Sequence, residues 1–96
     1  MTITEIAKDI HENAKAHGWW EEERSVPELL CLIHSEASEA LEEYRNHTDH
    51  MPEELADIVI RVFDMAVGLG IDIETEILDK HERNKKRPYR HGGKRC

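Results

Sequence analysis

The sequence predicts an all-α chain, four helices in one domain spanning residues 1–96, and three observations carry that prediction. Apolar residues recur at three- and four-residue spacing through four stretches, each opened by a capping residue or proline. Glu, Ala, Lys, Leu and Ile dominate, while aromatics are 5% of the chain and β-branched residues rarely alternate with polar ones. Pro52–Leu69 (PEELADIVIRVFDMAVGL) is apolar around most of its circumference, as a core helix is.

Met1–His17 reads as the first helix. Thr2 and Glu5 have capping-box spacing, Ile3, Ile6, Ala7, Ile10 and Ala14 form its stripe, and Gly18 stops it. The loop Trp19–Arg24 opens with two adjacent tryptophans. They read either as an anchor sealing the loop or as a platform for a flat nucleobase. The second helix starts at a Ser25 cap, with Pro27 in its first turn and Glu28 completing a second capping box, and runs to about Arg45. Leu29, Leu30, Ile33, Ala37, Ala40, Leu41 and Tyr44 are expected on its core face, flanked by Glu36, Glu39 and Glu43.

The short polar turn Asn46–Met51 makes the second and third helices antiparallel neighbours. Along the third, Leu55, Ile58, Val59, Val62, Ala66 and Leu69 cover one face and Ala56, Ile60, Phe63 and Val67 another. Two apolar faces in so short a chain imply a bundle whose core is completed by oligomerisation. Gly68 and Gly70 end this helix. Asp72 caps a fourth, Ile73 to roughly Lys86, with a thin stripe of Ile73, Ile77 and Leu78. Residues 87–96 have the composition of a flexible basic tail.

Charge is divided along the chain. Lys80–Cys96 holds 8 of the 13 Lys and Arg and one acid, Glu82, against a net charge of −8 for the whole. An acidic body with a basic end argues against simple coating of nucleic acid. Cys31 and Cys96 do not make a disulfide framework. No apolar run approaches the roughly 20 residues of a membrane span, and the first twenty residues lack the apolar core of a signal peptide. A cytoplasmic protein is expected.

The remaining anomaly is acidic. Glu36 and Glu39 form E-x-x-E, and fourteen residues later Glu54 and Asp57 form E-x-x-D. Each i, i+3 pair shares a helical face, and the antiparallel hairpin sets the two pairs at similar height. Four converging carboxylates need counter-charge, and Arg61 supplies only one. Hard divalent cations answer that need, Mg²⁺ above all, with Mn²⁺ as a substitute. Glu43 and Asp64 either join the cluster or pair with a nearby base. Carboxylate-bridged iron would want Glu-x-x-His on two helices, and neither pair here ends in His. Most of the seven scattered histidines, His47 and His50 of the turn among them, are expected to face solvent. Lys80, Asn84 and Arg87, at i, i+4 and i+7, put cations and an amide on one face of the fourth helix, which suits a polyphosphate.

Together these motifs resemble the MazG-like nucleoside triphosphate pyrophosphohydrolases, of the all-α NTP pyrophosphohydrolase superfamily. The resemblance runs from the GWW loop through the four acids to K-x-x-x-N-x-x-R at Lys80, Asn84 and Arg87. One departure is Ser35, where many relatives carry an acid. The resemblance implies a MazG-like four-helix fold, dimers or tetramers with composite sites, and Mg²⁺-dependent cleavage of (deoxy)nucleoside triphosphates between the α and β phosphates. It casts Glu36, Glu39, Glu54 and Asp57 as metal ligands, with Glu39 or Glu36 handling the water. Lys80, Asn84 and Arg87 would hold phosphates, and Trp19 or Trp20 the base. The competing readings are a phosphoribosyl-ATP pyrophosphatase, a non-enzymatic helical interaction protein with a nucleic-acid-binding tail, and a metal sensor.

Overall fold

The computed structural model describes residues 1–89, and among them every regular element is helical: α1 (Ile3–Ala16), α2 (Val26–Arg45), α3 (Met51–Gly68) and α4 (Ile73–Lys85). Most of the expected basic tail, residues 90–96, lies outside the described residues. Each helix forms where its end signals stand. Thr2 Oγ1 accepts from Glu5 N–H and the Glu5 carboxylate accepts from Thr2 N–H, both at 3.0 Å, a complete capping box. Asp72 caps α4 by accepting from the N–H and the hydroxyl of Thr75. The box expected on α2 is only half present: Ser25 accepts from Glu28 N–H, but the Glu28 carboxylate turns to Arg24, 3.7 Å away.

Three helices end the same way. In α1 and α3 the glycines Gly18 (φ 85°) and Gly70 (φ 74°) take the left-handed conformation. The next N–H in each case reaches back five residues, Trp19 to the Ala14 carbonyl and Ile71 to that of Ala66. His47 does the same job for α2 at φ 55°, with Thr48 N–H bonded to the Glu43 carbonyl. A side chain with a Cβ is strained there by about 1–2 kcal/mol.

α3 is the shared wall. Both α1 and α2 pack on it, whereas no Cα of α1 comes within 8 Å of a Cα of α2. α4 lies against α1 and α3, tied by the Thr4 N–H donating to Glu74 Oε1 at 3.0 Å. The buried set is small: Ala7, Leu29, Ala40 and Ala66, with His11 and Glu36. Among the described residues no large side chain is fully buried, and the radius of gyration, 15.7 Å, exceeds the roughly 12–13 Å of a compact domain of this length.

Two expectations change as a result. On α2 only Leu29 and Ala40 of the anticipated core face are buried; Ile33 is half-buried, while Leu30, Ala37, Leu41 (49% exposed) and Tyr44 (69%) are not covered. Those four sit roughly 60–120° round the helix from Leu29, a second stripe beside the first. On α3, Leu55 (50%), Ala56, Val59 and Ile60 are exposed, so this core helix is covered on part of its circumference only.

Gly68, the last residue of α3, is a packing glycine. A Cβ there would lie 2.3 Å from the Trp20 ring, whose tip occupies that space. Gly68→Ala should therefore lower the melting temperature, because overpacking (about 1–3 kcal/mol) outweighs the gain of about 1 kcal/mol in helix propensity. His47→Gly should do the reverse, raising thermal stability by up to about 1 kcal/mol through relief of the left-handed strain. Calorimetry on both variants checks the two signs.

Candidate functional site

The polar residues of α3, Glu54, Asp57, Arg61 and Asp64, follow at spacings of three, four and three, so they form one stripe. That stripe faces the gap between α1 and α2, and each wall sends one buried polar residue to meet it. From α2, Glu36 accepts a hydrogen bond from Arg61 Nε at 3.1 Å. From α1, His11 Nδ1 donates to Asp64 Oδ1 at 2.8 Å. Trp20 completes the second cluster: its indole N–H donates to both Asp64 oxygens, at 2.9 and 3.1 Å, and its ring meets His11 edge-on at 5.0 Å. His11 is thus a core residue, an exception to the solvent-facing placement expected of most histidines; its place on the Ala7–Ala14 stripe of α1 was the available signal.

The carboxylates converge. Glu36 of α2 and Glu54 and Asp57 of α3 each offer an oxygen, all within 4.8 Å of one another. Glu39, one turn along α2, is exposed, but its charge and its carboxyl contact bear on Glu54. Burial holds the Glu54 pKa above the usual 4.5, helped by the negative charges of Glu39 and Asp57, the hydrogen bond with Glu39, and the charge of Glu36. Glu54 Oε2 is buried with no hydrogen-bond partner. A buried, unpartnered oxygen on one member of a cluster of hard donors, with no Cys or His among them, fits a hard divalent cation.

A cleft of about 670 Å³ opens beside the trio, within the size range of small-ligand sites. Asp9 and Asn13 of α1 line it, with His17 and Trp19 of the loop, Glu36 of α2, and Asp57, Arg61 and Asp64 of α3. Sequence reasoning had not singled out Asp9, Asn13 or His17; their i, i+4, i+8 spacing puts them on one face of α1. The two tryptophans are placed differently. Trp20 is half-buried, locked on Asp64 and Gly68. Trp19 is 48% exposed in the cleft, with the guanidinium carbons of Arg61 and Arg24 at 5.3 and 5.7 Å from its ring centroid.

Four other candidates lie elsewhere. Lys80 and Asn84 line a separate groove on α4, with Ile77, His81 and Arg83, and Arg87 follows the end of that helix; none of the three lines the cleft. Glu43 faces the α2–α3 turn, where the Thr48 hydroxyl bonds its carboxylate and His50 Nδ1 lies 3.4 Å away. Comparison of the chain with protein-family models, with curated proteins and with solved structures finds no match.

Because Glu54 holds its proton more tightly folded than unfolded, its charge lowers the stability of the metal-free fold at neutral pH. That cost fades as the pH falls through the raised pKa. Glu54→Gln should accordingly melt higher than the parent chain in EDTA at pH 7, with the gap closing toward pH 4.5. Thermal melts across that range read the sign directly.

Proposed function

We propose that the chain is a Mg²⁺-dependent nucleoside triphosphate pyrophosphohydrolase, releasing a (deoxy)nucleoside monophosphate and pyrophosphate in nucleotide-pool housekeeping. The observation that carries the reading is the carboxylate trio with its orphaned Glu54 oxygen, set at one side of a ligand-sized cleft that also holds an exposed tryptophan. The MazG-like resemblance of the acidic and C-terminal motifs supports it. Bound Mg²⁺ would neutralise the triphosphate and lower the pKa of a coordinated water. Glu36, Glu54, Asp57 and Glu39 are its ligands in this reading. Glu39, the most exposed of the four, is the one placed to orient or deprotonate the attacking water. Trp19 offers its ring to the base.

The exposed apolar stripes support assembly as a homodimer or homotetramer. Leu30, Leu41 and Tyr44 of α2 and Leu55, Val59 and Ile60 of α3 leave apolar surface that a second copy would cover. The same assembly would have to bring an α4 to the cleft for Lys80, Asn84 and Arg87 to hold phosphates, because α4 of the same chain does not line it. Composite sites would reconcile the two grooves.

Product analysis tests the reading. The purified chain is incubated with each common NTP and dNTP, in Mg²⁺ and in EDTA, beside Asp57→Ala, with its mass in solution read by light scattering. The expected outcome is monophosphate and pyrophosphate from an oligomer, only with metal, and a rate more than about a hundredfold lower in Asp57→Ala. Diphosphate and phosphate as products would mean a different reaction. Absence of turnover on every nucleotide would move the substrate to phosphoribosyl-ATP or the chain to the binding proteins.

A further inference from the structure

We propose that Arg61 holds the place of a divalent cation on Glu36, so that guanidinium and cation compete for one carboxylate. The inference rests on the metal reading above. Glu36 is 8% exposed, and a carboxylate taken that far from water requires a counter-charge. Arg61 supplies it, with Nε 3.1 Å from Oε1. Glu36 nevertheless belongs to the trio whose oxygens lie within 4.8 Å of one another, beside Glu54 Oε2, which has no partner. The metal-free site is thus asymmetric: Glu36 is neutralised by Arg61, while Glu54 is left uncompensated.

Arg61 also has a second resting place. Its guanidinium carbon lies 5.3 Å from the centroid of Trp19. On leaving Glu36 it can stay over that ring, inside the cleft, with its N–H donors available to an anionic ligand. Arg61 is therefore a positioning residue for Glu36: it keeps the buried carboxylate in place without metal and yields it when a cation arrives. Arg24 makes the natural comparison. It sits 5.7 Å from the same ring and carries the same charge, but it bonds the Trp19 carbonyl and pairs with Glu28, not with the trio.

The test is Mn²⁺ affinity of the full chain, read from the free-ion resonance in parent, Arg61→Gln and Arg24→Gln. Competition predicts that Arg61→Gln binds Mn²⁺ about tenfold more tightly than the parent, the scale of one charge-assisted hydrogen bond, while Arg24→Gln is unchanged. Equal tightening in both variants would mean a general field effect and overturn the proposal. Unchanged or weaker binding in Arg61→Gln would overturn it too.

A second measurement needs no variant to fold. In ¹⁵N-labelled parent protein, the Arg61 Nε–H signal, assigned through bonds, should be protected from exchange in EDTA and lose that protection in saturating Mg²⁺. A signal indifferent to Mg²⁺ would overturn the competition while leaving metal binding intact. Failure of both parent and Arg61→Gln to bind Mn²⁺ would overturn the metal reading and the inference with it. Binding by Arg61→Gln alone would support the competition in its strongest form.

Discussion

A helix that is, among the described residues, the only wall shared by α1 and α2 has to be apolar, yet α3 carries four ionisable groups along one stripe. The rest of the molecule accommodates that conflict. Ionised groups leave water only when partnered, so each flanking helix surrenders a buried position to a polar residue: His11 in α1 for Asp64, Glu36 in α2 for Arg61. Because α1 and α2 meet the stripe from different sides, with no Cα of one within 8 Å of a Cα of the other, a gap remains between them. The cleft is that gap. Its floor is polar because the stripe is, and the ion pairs that satisfy the stripe also dock its walls.

The adjacent tryptophans show how one loop can serve packing and cleft together. Trp20 closes the end of the stripe, its N–H on Asp64 and its ring in the space left by Gly68. With Trp20 fixed, the neighbouring Trp19 is left on the cleft side, where Arg61 and Arg24 lie near its ring. A loop held by one indole can present the other with little loss of conformational freedom on binding. Gly18, in the left-handed conformation just before them, sets the chain direction that makes the division geometrically available.

The helices were legible in the sequence because their ends are local chemistry: Thr2, Ser25, Asp72, Gly18 and Gly70 act on backbone groups a few residues away. The convergence of Glu36, Glu54 and Asp57 was legible for a similar reason, since a short turn and helical spacing fix relative height. What was not legible depends on which of two apolar stripes finds a partner. Leu29 and Leu30 are both apolar, and periodicity alone does not say that α3 takes the first and leaves the second exposed. His11 was missed because a single polar residue on an apolar stripe looks like an interruption until Asp64, fifty-three residues on, supplies its partner. Lys80 and Asn84 share a face as predicted, but a shared face does not say which groove it borders.

The chain as it stands is incomplete in two senses that have one consequence. Its apolar surface is under-buried, with no large side chain fully covered among the described residues, and its acidic cluster is under-compensated, with the Glu54 pKa raised and one oxygen unpartnered. Anything that binds the folded state and not the unfolded one stabilises it by mass action. A second copy over α2 and α3, and a cation between the same two helices, would both do so in the reading proposed here. The two effects would reinforce each other through α2, which carries Glu36 on one face and Leu30, Leu41 and Tyr44 on the next. Arg61 limits how far the metal-free protein suffers, because it compensates the most buried of the acids. It leaves Glu54 uncompensated, and that residual imbalance would favour a cation over an empty cluster.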